Sequence, residues 1–124
     1  MSKKQIKLFC KEYAMLYNVN VFPIIKKKIR MKPVACITAK EAYNKNYRIY
    51  FNRKHINDNV ISLRATTFHE MTHIADSLIF QNLPYNDFLK IMNTYSECHA
   101  AEIELNARLQ YCSNPITIQI RFLL

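Results

Sequence analysis

His69, Glu70 and His73 spell H-E-x-x-H within Thr67-Phe68-His69-Glu70-Met71-Thr72-His73, and their types and spacing point directly to metal chemistry. Positions four apart in a helix lie one above the other, so the two imidazoles can address one ion. Glu70 stands one step round the helix, where it can handle a proton on water without itself becoming a ligand. Two neutral nitrogen ligands, a neighbouring carboxylate and an open coordination position are what zinc-dependent hydrolysis requires.

A two-histidine site is incomplete, so a third protein ligand must come from elsewhere. The metzincin extension of the motif would need Gly at 76 and His or Asp at 79, and the chain has Asp76 and Ile79. The other common solution is a carboxylate from the following helix, for which Glu97, Glu102, Glu104 and the neighbouring His99 are the candidates. Ala100, Ala101 and Ala107 surround the face that holds Glu97, and small side chains let two helices approach closely. That favours Glu97 over Glu102. Glu104 lies near the same stripe two turns on, where it can support a ligand, and His99 reads as structural. Asp76 follows His73 by three positions and is placed to accept the second N–H of a ligating imidazole. His55, the fourth histidine, has no part in the pattern.

The elements that must carry these residues follow from periodicity and turn chemistry. Ile6, Phe9, Cys10, Tyr13, Leu16 and Tyr17 have helical spacing, which predicts an amphipathic helix over 3–17 closed by Asn18-Val19-Asn20. Val21–Ile25, Val34–Ala39 and Tyr47–Arg53 are β-prone, and the last is the clearest strand; it is offered as a sheet edge on which an extended substrate pairs. A helix from about Asn59 or Ser62 to Phe80 carries the histidines, with Phe68, Met71, Ala75, Leu78 and Ile79 on the opposite, core-facing side. After Pro84, Asn86 or Asp87 can cap a long last helix to about Tyr111, with a break near Asn93-Thr94. Residues 115–122 again have strand character. The predicted class is α+β: an N-terminal helix, a small mixed or antiparallel sheet of about three strands, the metal helix and a long C-terminal helix.

At 124 residues the chain is read as one domain, 1–124. It has no glycine, which excludes phosphate-cradling loops, dinucleotide fingerprints and glycine-dependent oxyanion elbows. Cys10, Cys36, Cys98 and Cys112 share no metal or disulfide spacing and read as buried free thiols in a reducing cytosol. No signal peptide or membrane span is evident, so a cytoplasmic location is expected. Eighteen Lys and Arg against nine Asp and Glu leave a net charge of +9. Much of the excess lies in Lys3-Lys4 with Lys7 and Lys11, and in Lys26-Lys27-Lys28 with Arg30 and Lys32. Neither run is interleaved with aromatics as a stacking platform would be, so nucleic-acid binding is the less favoured reading.

Leu63-Arg64-Ala65-Thr66-Thr67-Phe68-His69-Glu70-Met71-Thr72-His73, followed by Tyr95-Ser96-Glu97-Cys98-His99-Ala100-Ala101-Glu102, resembles the ImmA/IrrE-type zinc metallopeptidases, short gluzincin-like domains of bacteria, phages and mobile elements. The resemblance covers about residues 59–107. It implies a minimal zincin-like domain, His69, His73 and Glu97 as zinc ligands, and Glu70 as the base. It further implies an endopeptidase acting on a protein substrate such as a helix-turn-helix repressor. The rival expectation is a non-catalytic, basic, zinc-stabilised module that docks on a regulator protein or nucleic acid.

Overall fold

Residues 3–17 and 60–79 contain neither glycine nor proline, and both stretches form uninterrupted helices. The protein, analysed as a computed structural model, is described over residues 3–19, 24–25, 42–45, 48–51 and 59–110. In chain order these hold α1 (Lys3–Tyr17), β1 (Ile24–Ile25), β2 (Ala42–Lys45), β3 (Arg48–Phe51), α2 (Val60–Ile79), α3 (Tyr85–Ile91), a π-helical turn (Met92–Ser96) and α4 (Glu97–Leu109).

Asparagine does the work that glycine does elsewhere. Asn18 closes α1 with a φ of 52°, the left-handed region that asparagine tolerates better than most residues. The Val19 N–H then reaches back to the Ala14 carbonyl at 3.1 Å, and Val19 packs on the core. At the start of α2 the Asn59 side chain accepts from the Ile61 and Ser62 N–H groups at 2.8 and 3.4 Å. The last helix instead begins at Tyr85 behind Pro84, without a side-chain cap, so Asn86 and Asp87 lie inside it. The break expected near Asn93-Thr94 is the π-helical turn that joins α3 to α4.

The α+β expectation is corrected: the described body is helical. Its long helices hold fifteen, twenty and thirteen residues, whereas the strands are only two, four and four residues long. The apolar surface of α2 is covered chiefly by α1 and α4, so helices take the place expected of a sheet layer. The short ladder runs in the order β1-β3-β2, with β3 parallel to β1 and antiparallel to β2. β3 is thus central, so the segment offered as a substrate-pairing edge is flanked on both sides. Residues 34–39 and 115–122 lie outside the described residues, as do His55, Cys36, Cys112 and the 26–32 basic run.

The helix that carries the histidines is also differently placed from the expectation. Instead of one apolar face, every residue from Leu63 to Asp76 except His69 is buried. The buried Thr67 and Thr72 hydroxyls donate to carbonyls one turn back, at 2.7 and 2.8 Å, so all-round burial leaves neither without a partner. Tyr13 of α1 donates to the Thr72 hydroxyl at 3.0 Å, and burial pushes the phenol up to about 12. Arg64, also buried, donates to Glu12 of α1 and to the Ala107 carbonyl of α4, and its guanidinium lies 4.3 Å from the Phe68 ring centroid. One side chain therefore ties three helices together. Leu16 and Ile79, expected inside, face outward. Cys10 is buried as expected, with its thiol pushed up to about 12 by that burial, but Cys98 is exposed.

Candidate metal centre

α2 and α4 meet along a stripe of small or slender residues on α4 and the turn before it: Ser96, Ala100, Ile103 and Ala107 are buried. Ala101, expected on that stripe, is exposed. The close approach brings Glu97 to the two histidines. His69 Nε2 and His73 Nε2 are 3.2 Å apart, and Glu97 Oε1 is 3.3 Å from His73 Nε2. One ligand-type atom from each of the three residues lies within 4.8 Å of the others. The histidines are largely covered, while Glu97 is about half exposed at 52%, so the group opens to solvent on the Glu97 side. Glu102 is exposed and outside this group.

The proton arrangement on His73 follows from its neighbours. Ser96 Oγ donates to Asp76 Oδ2 at 2.9 Å, and the same oxygen lies 2.8 Å from His73 Nδ1. A hydroxyl has one hydrogen, so with that hydrogen on Asp76 its oxygen accepts from His73 Nδ1–H. The Nε2 lone pair of His73 then points toward His69 and Glu97. His99 Nδ1 approaches both Asp76 oxygens, at 3.1 and 3.0 Å, and holds the carboxylate from its other side. Tyr95 in turn stacks on the His99 ring, with centroids 5.5 Å apart.

His69 is supported differently. Glu104 Oε1 is 2.8 Å from its Nδ1, a close ion-pair contact although the ring N–H is not well aligned on it. Arg108 holds the same carboxylate from α4 at 3.1 Å and reaches the Ser62 hydroxyl of α2 at 3.1 Å. Burial pulls the His69 imidazole down, but Glu104 and the charges of Glu70 and Glu97 outweigh it, and the group sits above its ordinary value. Glu104 is held below the usual carboxylate range by His69, against partial burial and with help from Arg108. Glu70 is buried beside this group, near enough for its charge to act on His69, and is not one of the three converging residues.

These residues fit a divalent ion. Two bonds of ~2.0–2.1 Å at a tetrahedral angle place ligand atoms about 3.3 Å apart, matching the two short separations here. With the His73 proton fixed on Nδ1, its Nε2 and Glu97 Oε1 face one another as two acceptors, an arrangement a cation relieves. Asp76 reaches His73 through Ser96. Ser96 and Arg108 are the members that sequence reasoning missed. Ser96 lies in the π-helical turn, outside the regular period of α4, and nothing in the pattern marks Arg108. Comparison with known families, curated proteins and solved structures returned no match. Among the described residues, no helix is long and apolar enough to cross a membrane.

Proposed function

We propose that the protein is a cytoplasmic zinc metallo-endopeptidase of the ImmA/IrrE type, acting on a protein substrate such as a helix-turn-helix repressor. The observation that carries this reading is the convergence of His69, His73 and Glu97 beside the buried carboxylate of Glu70. His69, His73 and Glu97 would hold the metal. Bound there, zinc supplies Lewis acidity that acidifies water and polarises a carbonyl.

Glu70 has the position of the proton carrier: one helical step from His69, in a site where burial strengthens its interactions. It takes a proton from the attacking water and returns it to the leaving amine as the C–N bond breaks. Glu97 marks the solvent-open side, from which a peptide enters. Glu70→Gln preserves the shape of the site and should keep its zinc while slowing hydrolysis of a quenched-fluorescent peptide library by about 10²–10⁴-fold. Undiminished hydrolysis by this variant would remove Glu70 from the mechanism.

A second reading is favoured by Lys4, Lys7 and Lys11, which lie exposed along α1. They suit a basic, zinc-stabilised module that docks on an acidic regulator or nucleic acid. Binding that weakens steeply with salt and ignores Glu70→Gln would select it.

A further inference from the structure

His73 meets consecutive residues at its two ring nitrogens, Ser96 of the π-helical turn and Glu97 of α4. Ser96 Oγ lies 2.8 Å from Nδ1, and Glu97 Oε1 lies 3.3 Å from Nε2. The π-helical turn over Met92–Ser96 sits immediately before Glu97. A π turn winds the chain more loosely than an α-helix and resets which residues face a neighbour. Ser96 is fully buried and Asp76 is 2% exposed, so water does not compete for either contact.

We propose that Ser96, locked by Asp76, is a positioning residue that selects the metal-binding tautomer of His73. This rests on the metal-site reading above. A neutral imidazole can carry its proton on either nitrogen, and only the Nδ1–H form leaves Nε2 free to bind an ion. Asp76 receives the Ser96 hydrogen, Ser96 therefore receives the His73 Nδ1 hydrogen, and His99 fixes Asp76 from the far side. Without the serine oxygen, Nδ1–H loses its acceptor. The proton then moves to Nε2, where Glu97 accepts it, and the histidine and glutamate satisfy each other instead of an ion.

The test is zinc affinity, measured by competition with a chromophoric chelator, for wild type, Ser96→Ala and Ser77→Ala. The last removes a hydroxyl from α2 that bonds only to the Ile74 carbonyl among the described contacts. Thermal unfolding confirms that each variant is folded, and long-range ¹H–¹⁵N spectra of the metal-free proteins report the His73 tautomer. Ser96→Ala is expected to bind zinc about 10–100-fold more weakly, with the ring signature moving from Nδ1–H to Nε2–H. Ser77→Ala is expected to match wild type. If Ser96→Ala binds as wild type does, or binds more weakly with an unchanged tautomer, the positioning role is overturned while the metal site stands. If wild type itself binds no zinc, both readings fall together.

Discussion

His69 and His73 leave one helix a single turn apart and bring their Nε2 atoms to 3.2 Å, but the two imidazoles are held by unlike surroundings. Behind His73 lie Ser96 and Asp76, both sealed from water and joined by short hydrogen bonds. Behind His69 lies Glu104, part-exposed at 30%, shared with Arg108 and poorly aligned on the ring nitrogen. The first arrangement fixes a proton by geometry. The second is a part-exposed ion pair, which solvent and salt weaken. One imidazole is thus set by structure, and the other is left adjustable by pH.

The contrast predicts unequal costs for removing the two imidazoles. His73→Ala strips a partner from the buried Ser96–Asp76 pair and should destabilise the metal-free protein by about 1–3 kcal/mol in urea unfolding. His69→Ala empties a site that solvent reaches more readily, and should cost less than that. Equal losses from the two variants would break the distinction.

A smaller effect sharpens it. The His69 imidazole is raised, so its charged form stabilises the metal-free protein fully below the ordinary histidine range, and that contribution is lost as pH rises through the raised value. Glu104 is lowered, so its contribution is present above the ordinary carboxylate range and lost as pH falls through the lowered value. The pair therefore contributes most in mildly acidic solution and fades toward alkaline pH. Zinc must displace the His69 proton, so uptake should strengthen as pH rises through that raised value. Glu104→Gln lets His69 lose its proton more easily and should move the uptake curve to lower pH, read from zinc affinity across a pH series. A curve that does not move would mean that Glu104 does not govern His69.

What could be read from the sequence divides along the same physical line. His69, His73 and Glu97 were legible because helical spacing and small neighbours are local properties, and the structure brings those residues together. Asn18 and Asn59 were legible because a chain without glycine must close and cap its helices with other residues. The surroundings of α2 were not. The apolar residues predict a single core-facing side, but the Thr67 and Thr72 hydroxyls bond to the helix's own backbone, so packing on all sides became possible. The β-prone Tyr47–Arg53 run predicts the clearest strand of a small sheet, whereas among its described side chains Ile49 reaches the core and helices do most of the covering. Ser96 escaped notice because its role depends on a π turn, whose placement responds to tertiary contacts that no single-sequence period records.

The claim on which the rest depends is that α2 and α4 jointly hold a metal. Elemental analysis of purified wild type beside Glu97→Ala tests it most directly. Glu97 is half exposed, so its loss should leave the fold intact. About one zinc per wild-type chain is expected, with a strongly reduced content in the variant. Wild type without metal, or a variant that retains it in full, would contradict the account.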